Sequence, residues 1–192
     1  MKRGRPPTFD RQAALTTARR LFHEKGYEGV GVAELGAAMG IKAPSLYAAF
    51  GNKKNLYALA LDEYIAASGT WIAEALAQEG ALAPVIAALF DQAATRYSTP
   101  SDPPGCMVMN GTSGAADQSI CDLARERCSK TQDLVGARVR LSTSTRVEPL
   151  TDYVMLILHG LSASARAGAS RSALRRAADA AARGFAALIP DP

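Results

Sequence analysis

Apolar residues recur at intervals of three and four along almost the whole chain, and no segment shows the alternation typical of a β-strand. In the first such segment the apolar positions are Ala14, Leu15, Ala18, Leu21 and Phe22. Asp10 precedes them as a candidate N-cap, and Gly26 follows them as a stop signal. The pattern predicts an all-α fold whose first helix extends from about residue 10 to residue 25.

Two short helices are predicted on either side of Gly40. The apolar positions are Val32, Leu35 and Met39 before this glycine, and Leu46 and Phe50 after it. Glycine adopts the positive φ of a tight turn without strain, and Gly36 is the small residue at the expected helix crossing. The spacing therefore predicts a helix-turn-helix. The residues that its second helix exposes are Lys42, Ala43, Pro44, Ser45, Tyr47 and Ala48.

Basic charge is concentrated in the same part of the chain. Residues 1–61 contain ten Lys and Arg against four Asp and Glu, a net charge of +6, whereas residues 62–192 contain twelve against fourteen, a net charge of −2. This asymmetry suits an N-terminal unit that neutralises phosphates and a C-terminal unit that is free for other work. Charge alone is equally explained by solubility.

Residues 32–56, VAELGAAMGIKAPSLYAAFGNKKNL, resemble the DNA-binding domain of the TetR/AcrR family of bacterial repressors. The residues that carry the resemblance are Leu46, Tyr47, Phe50 and Lys53. It implies an N-terminal three-helix helix-turn-helix domain at residues 1–52 and a C-terminal helical ligand-binding and dimerisation domain at residues 53–192. It also implies a sequence-specific transcriptional repressor that binds a palindromic double-stranded DNA operator and is released by an unknown small-molecule effector.

The expected DNA contacts differ in kind. Lys53 and Tyr47 are expected at phosphates, and the amides at the N-terminus of the fourth helix assist Lys53. Candidates for base edges are Lys42, Ser45 and Ala48, and candidates for thymine methyl groups are Ala43 and Pro44.

Arg3 and Arg5 lie on an N-terminal arm that two following prolines keep extended. They are candidate contacts to the DNA backbone or to a narrow minor groove. The alternative is an ordinary solvated basic tail.

Further helices are predicted beyond this unit. A long fourth helix from Lys53 to Gln78, capped by Asn52, links the two domains. Others are predicted over about 83–98, from about 105, and over about 119–143, 149–169 and 172–188. Three prolines and a glycine at residues 99–105 interrupt the series, because they cannot continue a helix.

The last two predicted helices have apolar surface on more than one face, and the final one is rich in alanine and glycine. Small residues allow close helix approach, and the resemblance implies that these helices form a homodimer through a four-helix bundle. The alternative is that they close the core of a monomer. Candidate walls of an effector pocket are Trp71, Phe90, Met107, Met109 and Tyr153, for which plain core packing is the alternative.

Cys106, Cys121 and Cys128 do not suggest a disulfide framework. Cys106 follows Pro-Pro-Gly at the expected start of a helix, where amides stabilise a thiolate, so a redox- or metal-responsive regulator using Cys106 is an alternative to a buried cysteine. No clustered Cys and His pattern predicts a metal site, and no cofactor is predicted.

Other classes of protein are less well supported. The chain has no nucleophile motif, phosphate loop or dinucleotide fingerprint, so we do not expect an enzyme. No apolar run approaches the roughly 20 residues that cross a bilayer, so we expect a cytoplasmic protein without a membrane partner. A DNA-binding protein without an effector remains open.

Overall fold

The computed structural model describes residues 9–68, 70–111 and 115–189. Within these ranges the chain forms ten helices and no strand, which confirms the all-α prediction. The helices are α1 (Arg11–Lys25), α2 (Val32–Met39), α3 (Ala43–Phe50), α4 (Lys53–Ser68), α5 (Thr70–Leu76), α6 (Leu82–Arg96), α7 (Met107–Asn110), α8 (Gln118–Arg140), α9 (Val147–Arg166) and α10 (Arg171–Leu188).

Local signals place the ends of α1 where the sequence predicts them. The Asp10 carboxylate accepts hydrogen bonds from the backbone amides of Gln12 and Ala13, at 2.9 and 3.0 Å. These two donors have no partner inside the helix. Gly26 ends the helix with φ of 74°, a backbone conformation that favours glycine. The predicted single helix from Lys53 to Gln78 corresponds to α4 and α5, and residue 69 between them lies outside the described residues.

The first three helices share one apolar core with α4. Phe22 of α1, Leu35 of α2, Leu46 of α3, and Leu56 and Tyr57 of α4 are all fully buried. α4 packs along α1 and also contacts α5, α7 and α8, so it touches both the N-terminal and the C-terminal helices. The predicted boundary between residues 52 and 53 therefore lies inside a shared core, and it stays a prediction.

The remaining helices form a C-terminal bundle in which α6, α9 and α10 pack against one another. Its centre is closed by Leu89, Phe90, Leu158 and Phe185, each with no exposed surface. α8 packs along α9 on another side. In the described ranges, no helix combines the length and the apolar character needed to cross a membrane.

Candidate functional site

The outer face of α3 carries the first candidate site. Pro44, Ser45 and Tyr47 are exposed, whereas Leu46 and Phe50 on the same helix are buried. Lys42 is the N-cap residue and is exposed, as is Ala48, while Ala43 is half-buried. The surface of α3 that is predicted to contact DNA is therefore accessible to a partner molecule. The side chains that hold α3 in place lie on the opposite, buried face of the helix.

The angle between α2 and α3 depends on two glycines. Gly40 ends α2 in the left-handed region with φ of 68°. A Cβ atom added to Gly36 would lie 2.7 Å from the carbonyl oxygen of Ile41, so any larger residue would force the turn away from α2. The N-cap residue of α2 is Gly31, which has no side-chain oxygen to accept a hydrogen bond from the first amides of the helix.

Lys53 is the first residue of α4 and is half-buried. Its Nζ atom lies 4.2 Å from the centre of the Tyr27 ring, within the range of a cation–π interaction. Burial lowers the pKa of Lys53 from its ordinary value, an effect that the negative charge of Glu28 opposes. The tyrosine ring therefore holds the ammonium group at the N-terminus of α4, where the helix amides favour an anion. Arg3 and Arg5 lie outside the described residues.

A second candidate site is a cavity of about 130 Å³ in the C-terminal bundle. It is bounded by α4, α5, α8, Tyr97 after α6, and the turn around α7. The residues that line it are Tyr64, Ile65, Ser68, Trp71, Ile72, Tyr97, Cys106, Val108, Met109, Arg127, Cys128, Lys130, Thr131 and Leu134.

Two of the five residues predicted as pocket walls, Trp71 and Met109, line this cavity. Phe90 and Met107 are fully buried in the core and do not line it. Tyr153 lies between α9 and α10, where its hydroxyl donates to the carbonyl of Ala181 at 3.0 Å. These three residues do not line this cavity, because helical spacing identifies inward-facing residues and does not separate packed core from cavity wall; their place in an effector pocket stays a prediction.

One of the two charged residues that line the cavity, Arg127, forms an ion pair within the protein. Arg127 of α8 donates through Nη2 and Nε to the Asp62 carboxylate of α4, at 2.7 and 3.0 Å. Its Nη1 donates to the carbonyl of Leu123 at 3.0 Å. The ion pair also joins the cavity wall on α8 to α4, which is the helix that packs on α1.

The cavity thiols do not have the character of reactive thiolates. Burial raises the pKa of Cys106, although backbone hydrogen bonds from Met109 and Val108 oppose that change. Burial also raises the pKa of Cys128, to about 11. Backbone amides therefore do favour a Cys106 thiolate, as the sequence predicts, but desolvation outweighs them and the thiol pKa is raised. Within the described ranges, no group of three or more His, Cys, Asp or Glu side chains is placed to hold a metal ion.

The segment from Gly105 to Gly111 connects the cavity to the N-terminal unit. The carbonyl of Gly105 accepts a hydrogen bond from His23 Nε2 at 3.0 Å, so this nitrogen carries the proton. The carbonyl of Gly111 accepts the backbone amide of Tyr27 at 2.9 Å. Cys106, between these anchors, lines the cavity and donates its amide to Ser162 Oγ of α9 at 2.7 Å. One short segment therefore contacts the cavity, α9 and the end of α1.

Comparison with known proteins agrees with this arrangement. The family model described as bacterial regulatory proteins, tetR family, matches residues 14–60. The HTH-type transcriptional repressor BdcR of Escherichia coli (strain K12) is 34% identical over 167 residues, which is 87% of this chain and 84% of BdcR. The chain belongs to the TetR family of bacterial regulatory proteins.

Two further TetR-family relatives are similar over most of their length. The HTH-type transcriptional repressor ComR of the same E. coli strain is 33% identical over 186 residues, covering 92% of this chain and 89% of ComR. The solved structure of a cysteine mutant of the TetR family regulator CifR, complexed with 26-bp double-strand operator DNA, has a TM-score of 0.86 and 30% identity. It covers 94% of this chain and 98% of the CifR chain. The protein is a DNA-binding transcriptional regulator with a helix-turn-helix domain and is not an enzyme.

Several residues at the two candidate sites could not be identified from the sequence around them. Arg127 and Asp62 are 65 positions apart, and His23 is 82 positions from Gly105. Tyr27 looks like an ordinary core aromatic in the sequence. Only the packing of α1, α4, α7 and α8 brings these groups to the two candidate sites.

Proposed function

We propose that this TetR-family protein represses transcription as a homodimer on a palindromic operator and that a small molecule bound in the C-terminal cavity releases it. The observation that carries the proposal is the exposed face of α3, held outward by buried Leu46 and Phe50 in a chain similar to an operator-bound regulator. The repressors BdcR and ComR, each similar to most of this chain, support repression as the outcome of binding.

Each residue on the outer face of α3, together with Lys53, has a proposed role that follows from its chemistry. Lys42 and Ser45 contact base edges in the major groove, and Ala48 fits where a base edge approaches closely. Ala43 and Pro44 contact thymine methyl groups. Tyr47 donates its hydroxyl to a phosphate, and Lys53 contributes a charge to the same backbone. These roles predict one recognition surface in each subunit.

Dimerisation is proposed through α9 and α10. Leu156 of α9 is 69% exposed, and Gly160 and Ala163 follow it on the same exposed face. Ala177 and Ala180 provide an exposed surface of small side chains on α10. A leucine beside small residues on neighbouring helices suits close packing against the same surface of a second copy, which buries the leucine.

Release from the operator requires that a ligand bound in the cavity changes the position of α3. Two connections support this step. The Arg127–Asp62 pair joins a cavity-lining residue of α8 to α4, and the 105–111 segment joins the cavity to His23 and Tyr27. Half-sites on the same face of DNA are about 34–36 Å apart, so displacing the two α3 helices of the dimer by a few ångströms prevents them from contacting both half-sites at once. By linkage, the effector then binds operator-bound protein more weakly, by the factor by which it weakens operator binding.

In vitro selection from random double-stranded DNA tests the operator proposal. The expected enriched sequence is an inverted repeat whose half-site centres are about one helical turn apart. A Ser45→Ala variant is expected to change the preferred base at one position in each half-site, whereas Ser172→Ala, an exposed serine at the start of α10, is the control and leaves the sequence unchanged. Enrichment of a single asymmetric site, or of no sequence, contradicts the proposal.

A further inference from the structure

The walls of the cavity contain several groups that pack well against flat, polarisable molecules. The rings of Trp71 and Tyr97 meet edge to face with centres 6.2 Å apart, and Tyr64 provides a third ring. Met109 and Cys106 add sulfur atoms, which make favourable contacts with aromatic rings. Such a lining favours an aromatic ligand over a flexible aliphatic one of equal volume.

The electrostatics of the cavity do not favour a charged ligand. Arg127 already donates to Asp62 and to the carbonyls of Leu123 and Ala58, so a ligand carboxylate would compete with an existing ion pair. Lys130 is exposed and keeps its ammonium group hydrated. Among the described residues that line the cavity, none is Asp or Glu, so a ligand cation would have no ion-pair partner there and would contact only the faces of aromatic rings. A neutral ligand avoids the cost of desolvating a charge.

One hydrogen-bond donor in the cavity is poorly matched. The Tyr97 hydroxyl is buried and donates to the thioether sulfur of Met109 at 3.7 Å. A thioether is a weak acceptor, so a ligand oxygen in the same position makes the stronger hydrogen bond. Burial raises the pKa of Tyr97 well above its ordinary value, and the hydroxyl therefore stays a donor.

The size of the cavity restricts the ligand further. Its volume is about 130 Å³, close to the roughly 150 Å³ of an engineered apolar cavity that binds benzene. One six-membered ring with a short substituent fits such a volume, whereas fused rings require the walls to move.

We propose that the effector is an uncharged compound with a single aromatic ring and one oxygen acceptor, an aromatic alcohol, aldehyde or ketone, whose oxygen accepts the hydrogen bond of Tyr97. This inference rests on the proposed effector function and specifies the ligand class of the same cavity. The ring packs against Trp71, and the oxygen replaces Met109 as the partner of the hydroxyl group.

Fluorescence of Trp71 tests the proposal directly, because it is the one tryptophan of the chain. Benzyl alcohol, toluene and benzoate serve as probes of equal ring size. Benzyl alcohol is expected to change the fluorescence saturably and to bind more tightly than toluene, with benzoate at least about tenfold weaker because its charge is desolvated. The Tyr97→Phe variant is expected to bind benzyl alcohol about three- to tenfold more weakly while its affinity for toluene is unchanged. Tyr153→Phe, the same substitution outside the cavity, is the control.

The outcomes separate the ligand class from the function on which it rests. Tighter binding of benzoate than of benzyl alcohol, an equal effect of Tyr97→Phe on benzyl alcohol and toluene, or no saturable change with any of the three probes overturns the proposed class. If benzyl alcohol binds with the expected pattern and yet leaves operator affinity unchanged, the ligand class stands and the proposed release function fails.

Discussion

The ammonium group of Lys53 lies 4.2 Å above the ring of Tyr27, whose backbone amide is bonded to the carbonyl of Gly111. A residue proposed to contact DNA is thus held by a residue that is anchored to the cavity segment. The relationship gives Tyr27 a role in positioning charge, in addition to packing against Phe22 and Tyr57.

Replacement of Lys53 by Ala is expected to weaken operator binding by roughly tenfold at low salt, because a charge-assisted phosphate contact is lost. The loss should be similar on all operator variants, since a phosphate contact carries no base information, and the salt dependence should flatten by about 0.9 of a slope unit per contact. Fluorescence anisotropy over a range of salt concentrations measures both quantities. Lys130→Ala removes the same charge from α8 and is expected to leave both unchanged.

Replacement of Tyr27 by Leu is expected to weaken operator binding about two- to fivefold, because the ring no longer positions the Lys53 ammonium group. Tyr27→Phe retains the ring and should bind like the parent protein. Thermal unfolding of both variants separates lost positioning from lost packing. Equal operator affinities for the Leu and Phe variants would contradict the proposed role of Tyr27 in positioning Lys53, whatever their melting temperatures.

Acidification is expected to destabilise the fold through His23. Burial lowers the pKa of this residue from 6.5 to about 4, although its hydrogen bond with Gly105 opposes the change. The unfolded chain therefore binds more protons than the native chain between these values, and the free energy of unfolding falls as the pH decreases from about 6.5 to about 4. The loss is about 3 kcal/mol, measured by urea unfolding at a series of pH values.

The contribution of His23 is isolated by a pair of variants. His23→Gln cannot take up the proton and should lose most of this pH dependence, although it is less stable at neutral pH. His159→Gln, at a half-buried site on α9, should retain most of it. If the pH profile of His23→Gln matches that of the parent protein, the buried proton site lies elsewhere.

Dimerisation is tested at Leu156. Its replacement by Glu is expected to give a monomer at micromolar concentration, because the charge would be buried between two copies without a partner. Leu141→Glu places the same charge at an 83% exposed position and should stay dimeric. Sedimentation velocity distinguishes the two species, and a parent protein that sediments as a monomer would contradict the proposed interface.

Gly184 is less suitable for testing the dimer than its small size suggests. A Cβ atom there would lie 2.6 Å from the Tyr153 hydroxyl, so a larger residue disturbs the packing of α9 on α10 within one subunit. A loss of dimer in a Gly184 variant would therefore not separate interface damage from damage to the fold.

Local chemistry accounts for the features that the sequence predicts correctly. The Asp10 cap, the left-handed Gly40 and the burial of Leu46 and Phe50 each depend on residues close in the sequence. They are sufficient to identify the helix-turn-helix and the exposed face of α3, whose individual DNA contacts stay predictions.

The cavity could not be predicted in the same way. Phe90 and Met109 both lie inward, yet the first is surrounded by packed side chains and the second borders empty space. That difference depends on how α4, α5 and α8 meet, which helical spacing does not encode. The Arg127–Asp62 pair is likewise invisible in the sequence, because exposed arginines and aspartates are common and their partner choice is decided by the tertiary fold.

The contact between Tyr27 and Gly111 uses only main-chain atoms, an amide on one side and a carbonyl on the other. Substitution of the Tyr27 side chain therefore leaves the amide donor in place, whereas a Cβ atom at Gly111 would lie 2.6 Å from the Tyr57 hydroxyl oxygen and would disturb the contact at its other end. Proline at position 27, or an ester in place of that amide, removes the donor itself. In the proposed release mechanism, this connection between the two domains thus persists when the Tyr27 side chain is exchanged, and substitutions at position 27 that keep the amide do not test it.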